Sequence, residues 1–195
     1  MDRDEMKLLE ATFDALRSGS PLPIPIALFW GIAGIGKTTL LQHIAGQCQD
    51  STCVIWVEVA GSHEIRLREQ GGFYHVALSR SGNITSALIK VLLEQHPVVL
   101  LVDGVDTPLI PWIEMLLREV IRHPRLFVAI TSRKSFVFEQ ERDVAKRLHR
   151  FQVQPFTQWQ SEAYLEQIRP TFSQEERQAI IAWAGGYPLA LQVAA

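Results

Sequence analysis

Gly31-Ile32-Ala33-Gly34-Ile35-Gly36-Lys37-Thr38 fits the pattern G-x-x-x-x-G-K-[ST] without a mismatch. Ile26 to Trp30 leads into it as a short, wholly apolar run, which is what a strand covered on both faces requires. Lys37 to Gln47 leaves it with helical character. In a strand–loop–helix setting, successive backbone N–H groups and the positive end of the helix macrodipole converge on phosphate oxygens. Gly34 and Gly36 let the backbone approach closely, the Lys37 ammonium suits the β- and γ-phosphates, and the Thr38 hydroxyl suits Mg²⁺. Gly31, Ile32, Ala33 and Ile35 complete the cradle, and the bound species is expected to be a purine nucleoside triphosphate with Mg²⁺.

Outward from the loop, apolar strands alternate with helical segments. Cys53 to Val59 reads as a buried strand, Ile84 to Gln95 as an amphipathic helix, and Val98 to Val102 as the most apolar strand of the chain. A helix around Trp112 to Arg122 precedes the strand Leu126 to Ile130, and a basic helical stretch from Glu139 to Arg150 precedes the strand Phe151 to Val153. Five strands alternating with helices predict an α/β fold with a parallel, doubly wound sheet, in which ligands bind beyond the carboxyl ends of the strands. Upstream, the apolar positions of Asp4 to Leu16 predict a helix that stops in Ser18-Gly19-Ser20-Pro21. Between Gly61 and Asn83 the pattern weakens, with a hairpin suggested around Gly71-Gly72. From Gln158 onward only helices are predicted, over Gln158 to Ile168, Ser173 to Trp183 and Pro188 to the end. The expected division is therefore an α/β nucleotide-binding domain over 1–156 and the start of a helical subdomain over 157–195.

Bulk properties narrow the function. With 195 residues and 47% hydrophobic composition the chain buries a sizeable core, which excludes disorder of the whole. Nineteen Lys and Arg stand against 21 Asp and Glu, so no global field draws it to nucleic acid or to membrane phosphates. Cys48 and Cys53 match neither a zinc nor a redox spacing, the six histidines have no metal-ligand spacing, and no apolar run approaches the roughly 18 residues of a spanning helix. The expected location is cytoplasmic, away from any membrane.

Three further residues fall at strand ends. Asp103 ends the Val98 to Val102 strand, where a carboxylate is costly to bury without a partner but well placed beside a hydrated Mg²⁺, as in a Walker B acid. Asp106 admits two readings, a group that orients or deprotonates the attacking water and a loop cap before Pro108. Thr131-Ser132-Arg133 puts a guanidinium on the same rim, suited to sensing a γ-phosphate. The basic residues Arg142, Lys146, Arg147 and Arg150 read first as a solvated face, and second as a contact for a neighbouring protomer or nucleic acid.

In this order, the glycine loop, Asp103, Arg133 and Gly186-Tyr187-Pro188-Leu189 resemble the STAND class of P-loop NTPases over nearly the whole chain. Gly34 to Leu40, including Thr39, looks like the phosphate loop of that class, and Leu101 to Asp106 looks like the NACHT form of Walker B. Gly185 to Leu191 looks like the GxP signature of NB-ARC and related regulators, in which the proline, here Pro188, packs near the adenine. Asp2 to Glu5 resembles the tail of the class's N-terminal adenine-side motif. The resemblance implies an ASCE-type P-loop NTPase whose five strands take the order 5-1-4-3-2. It also implies a switch that holds ADP, exchanges it for ATP on a signal, hydrolyses ATP slowly with Mg²⁺, homo-oligomerises and acts with effector or sensor domains outside this chain. Thr107 replaces the acidic residue that often follows the second aspartate of the NACHT form, a departure that points away from fast hydrolysis. The competing expectations are a DNA-associated AAA+ ATPase, supported by the basic residues of 142–150, and a nucleotide-binding interaction module without hydrolysis.

Overall fold

A computed structural model describes residues 3–48, 52–60, 64–66, 83–105 and 107–195. Apolar residues facing both ways along each central strand force a sheet covered on two sides. In β1 (Ile26–Trp30), Ile26 and Leu28 join one core cluster while Ala27 and Phe29 join another. The same alternation runs through β4 (Val98–Val105) and β5 (Leu126–Ser132): Leu100 and Val128 pack on the first face, Leu101 and Phe127 on the second. Such strands are stable only between two helical layers.

Those layers are supplied on either side. On one face lie α1 (Arg3–Ser18), through Leu9 and Leu16, and α2 (Lys37–Gly46), through Leu41 and Ile44. On the other lie α3 (Asn83–Gln95), through Ile89 and Leu93, and α4 (Ile110–Val120), through Ile113, Leu116 and Leu117. A single 3₁₀ turn, Thr107–Leu109, leads into α4. The sheet is completed by β2 (Cys53–Ala60), β3 (Glu64–Arg66) and β6 (Leu148–Gln152), and its order is β3-β2-β4-β5-β1-β6. Five strands are parallel, in the order expected from the resemblance, with β5 between the loop strand β1 and the Asp103 strand β4. The sixth, β3, pairs antiparallel with β2. The suggested hairpin around Gly71-Gly72 lies outside the described residues.

One expected element is corrected. The basic stretch from Glu139 to Arg150 is not a single helix: only α5 (Arg142–Lys146) is helical, and Arg150 lies on β6, opposite Leu28 of β1. Pairing with the free edge of β1 satisfies a row of backbone groups, and it draws residues from Leu148 onward into the sheet against their helical spacing. The basic side chains are thereby divided among a helix, a turn and an edge strand.

Beyond β6, α6 (Gln158–Ile168), α7 (Gln174–Ala184) and α8 (Pro188–Ala194) enclose a small core of Leu165, Ala184 and Leu191. Thr157 with Gln160, and Ser173 with Glu176, form reciprocal capping boxes that start α6 and α7. The turn before α8 crosses the chain leaving β6 at very close range, with Phe156 N–H donating to the Gly186 carbonyl at 2.8 Å. A Cβ on Gly186, whose φ is +80°, would lie 2.2 Å from the Phe156 carbonyl oxygen, so only glycine fits this crossing.

Gly186→Ala is therefore expected to cost at least about 2 kcal/mol, through combined strain and clash. Gly19→Ala, at φ +71° with nothing within 4 Å of the added carbon, should cost less because only the strain remains. Urea denaturation of both variants checks the ranking.

Candidate functional site

The site is built at the carboxyl ends of β1, β5 and β4. Gly31 follows β1 directly, and its N–H donates to the Ser132 carbonyl of β5 at 3.2 Å, which fastens the start of the loop to the neighbouring strand. Ile35 turns into the protein and is buried, whereas Ile32 is exposed. Ala33, Thr38 and Thr39 face outward, and Gly34, Gly36 and Lys37 are half-buried. At Gly36 the backbone is left-handed, no side chain caps α2, and no acidic residue occupies its first turn. The N–H groups and positive dipole end of α2 are thus left to an anion.

Lys37 folds back over the loop, its ammonium donating to the Gly31 and Ile32 carbonyls, each at 2.7 Å. Burial lowers its pKa below the usual lysine value; the Asp103 carboxylate raises it, and the Arg133 guanidinium lowers it further. Both charged groups therefore act on the same ammonium across the strand ends, although Arg133 itself is exposed. Phosphate oxygens at this point would meet the Lys37 ammonium and the open end of α2.

Asp103 connects β4 to β5 and to the first turn of α2. Its Oδ2 accepts from the Thr38 hydroxyl at 2.8 Å, and its Oδ1 accepts from the Thr131 hydroxyl. Thr131 is fully buried, and its oxygen also accepts the Gly104 N–H at 2.8 Å. A bulge makes this geometry: β4 takes three residue steps from Val102 to Val105 while β5 takes two from Ile130 to Ser132, leaving Asp103 and Gly104 opposite Thr131. A hydroxyl and a half-buried carboxylate side by side are hard oxygen donors of the kind Mg²⁺ takes. Asp106 lies outside the described residues.

From the opposite side, α8 closes on the loop. The Leu189 N–H donates to the Gly34 carbonyl at 3.3 Å. A Cβ on Gly34, whose φ is +78°, would come within 3.0 Å of the Leu189 side chain, and one on Gly36 would lie 3.9 Å from Pro188 Cγ. Pro188 thus lies beside the phosphate loop. Two participants were not singled out from the sequence. In the sequence Thr131 stands out only as part of the sensor triplet, though a hydroxyl at the end of an otherwise apolar strand signals a buried polar partner. Leu189 acts through its backbone, for which no residue type is diagnostic.

With β5 standing between the phosphate loop and the strand of Asp103, the fold is that of an ASCE-type P-loop NTPase, a nucleotide-binding class. The chain belongs to the NACHT domain family, whose model matches residues 26–174, and with it to the STAND class. No curated protein matches it. Among solved structures it is similar to a Signal Transduction ATPase with Numerous Domains (STAND) protein with a tetratricopeptide repeat sensor from Pyrococcus horikoshii. That match has 15% identity and a TM-score of 0.62, covering 99% of this chain and 29% of that one. The FIGL-1 AAA domain in complex with ADP is 15% identical, with a TM-score of 0.62 and coverage of 97% and 66%. The Holliday junction branch migration motor RuvB of Thermotoga maritima is 15% identical, with a TM-score of 0.59 and coverage of 100% and 61%. This chain spans less than two thirds of each of them, and at such identity the likeness is one of fold. Among the described residues no helix is long and apolar enough to cross a membrane.

Thr131→Val keeps the shape of a fully buried side chain but removes both hydrogen bonds. A loss of about 1.5–3 kcal/mol is expected for a bond to a charged group, and Thr131→Ser should restore most of it. Equilibrium unfolding in urea measures both.

Proposed function

We propose that this chain is the ATP/ADP-binding switch of a signal-transducing STAND protein, cytoplasmic, with slow Mg²⁺-dependent ATP hydrolysis that drives homo-oligomerisation. The observation that carries the proposal is the contact of α8 with the phosphate loop: Leu189 bonds to Gly34 two residues before the N-cap of α2. A loop that bears phosphates on one side and a helical unit on the other couples nucleotide state to the position of that unit. In this reading 1–156 is the nucleotide-binding domain and 157–195 the moving helical subdomain, with Pro188 on the adenine side.

Lys37 would release the Gly31 and Ile32 carbonyls to bridge the β- and γ-phosphates, and the N–H groups of Gly34 to Thr39 would take the remaining oxygens. Thr38 and Asp103 would hold Mg²⁺, which neutralises charge on the phosphate oxygens when bound. Arg133 would approach the γ-phosphate and so distinguish ATP from ADP, and Asp106 would orient the attacking water. Thr107 in place of an acid after the second aspartate favours slow turnover. Effector and sensor domains outside this chain would receive the signal. The division of Arg142, Lys146, Arg147 and Arg150 among three elements removes the continuous basic helix on which a DNA-associated ATPase reading rested.

Lys37→Ala is expected to weaken ATP and ADP binding at least about tenfold, since charged hydrogen bonds of about 1.5–3 kcal/mol are lost. Arg133→Ala should weaken ATP about tenfold and leave ADP within about twofold. Isothermal titration with each nucleotide and Mg²⁺ measures both; equal loss of ATP and ADP in Arg133→Ala would sink the sensor role. ADP retained through purification and ATP turnover far below motor-like rates are the accompanying expectations for a switch.

A further inference from the structure

Glu114 occupies the apolar face of α4 among Ile113, Leu116 and Leu117, and is only 2% exposed. A buried carboxylate costs several kcal/mol unless it is fully hydrogen-bonded, and packing alone would place an apolar residue here. Its partners identify what it holds. Oε1 accepts the N–H groups of Gln140 and Glu141, at 2.8 and 2.5 Å, at the start of α5. Glu141 is the N-cap of α5 and makes no side-chain cap bond; Glu114 reaches from another helix to the N–H groups of that N-cap and of the residue before it.

These bonds secure the far end of the segment 133–141, whose first residue is Arg133. Beneath that segment lies a cavity of about 660 Å³, walled on the α4 side by Thr107, Ile110 and Glu114. The segment lines that cavity through Ser135 to Val137, while Phe136 and Phe138 pack against the core. It is held at the near end by the Lys134 N–H donating to Ser132 Oγ at 3.3 Å, in its middle by buried Phe138, and at the far end by Glu114. The Arg118–Glu141 and Arg122–Asp143 pairs beside it are exposed at 3.3 and 2.8 Å and add little.

We infer that Glu114 is a positioning residue for Arg133: by fixing the far end of 133–141 to α4, its carboxylate sets where the guanidinium stands relative to Lys37. This rests on the role proposed above for Arg133. A side chain remote from the phosphates then governs discrimination between tri- and diphosphate, and it ties that discrimination to α4, the helix that directly follows the Asp103 strand.

The test measures ATP and ADP affinities, with Mg²⁺, for the full chain and for Glu114→Ala, Glu114→Gln, Arg133→Ala and the Glu114→Ala/Arg133→Ala double variant. Glu114→Ala should lose about tenfold in ATP affinity with ADP within about twofold, and Glu114→Gln, which keeps an acceptor oxygen, should lose only about threefold for ATP. In the double variant the ATP loss should equal that of Arg133→Ala alone, because both changes remove one interaction. Equal losses for ATP and ADP, or additive losses in the double variant, would make Glu114 a cap of α5 and overturn the inference. Should Glu114→Ala fail to fold, Glu114→Gln decides: an ATP-selective loss supports the inference, and unchanged affinities overturn it. If Arg133→Ala itself leaves the ATP-to-ADP ratio unaltered, the sensor reading fails; if that ratio collapses while the Glu114 variants behave like wild type, only the inference fails.

Discussion

The carboxylate of Asp103 is the group on which the rest of the site depends. A half-buried charge at the end of an apolar strand is tolerable only with both oxygens engaged, and here they are engaged by hydroxyls from two different elements, Thr38 of α2 and Thr131 of β5. The bulge at Asp103 and Gly104 brings the carboxylate to Thr131, whose oxygen in turn receives the Gly104 N–H. Two strand ends and the first turn of α2 are thereby held together by one side chain. Arg133 follows two residues after Thr131, so the backbone that bears the cation leaves the sheet beside the acid.

The phosphate loop is equally constrained from outside. The Ser132 carbonyl holds Gly31, and a Cβ on Gly31 would meet the Val153 carbonyl at 3.1 Å beyond β6. On the remaining side Leu189 lies against Gly34, with its N–H on the loop. A loop fixed this closely has little freedom to accommodate phosphates without moving a neighbour. Interiors and tight contacts respond to small displacements by discrete repacking, which is the physical basis for expecting α8 to respond to nucleotide state.

Much of this was legible in the chain itself, and the divisions are physical. The glycine loop declares itself because its chemistry is local: glycines, a lysine and a threonine at set spacing between a strand and a helix. The apolar runs stop at Val102 and Ile130, short of strands that continue to Val105 and Ser132, because Asp103, Gly104, Thr131 and Ser132 break the apolar run without breaking the sheet. Residues 148–150 read as helix because their local spacing allows it. Pairing with β1 overrides that preference, as tertiary hydrogen bonding commonly overrides propensity.

By itself, the sequence determined the α/β alternation, the anion-binding loop and the strand-end positions of Asp103 and Arg133, all of which follow from periodicity and backbone chemistry within short windows. The neighbour order came from resemblance, and only the tertiary structure decided what each rim residue touches. Thr131 meets Asp103 across 28 positions of sequence, Glu114 meets Gln140 across 26, and the Leu189 backbone reaches Gly34 from the far end of the chain. Such contacts depend on which apolar faces pack together and where a bulge falls, so no local pattern encodes them.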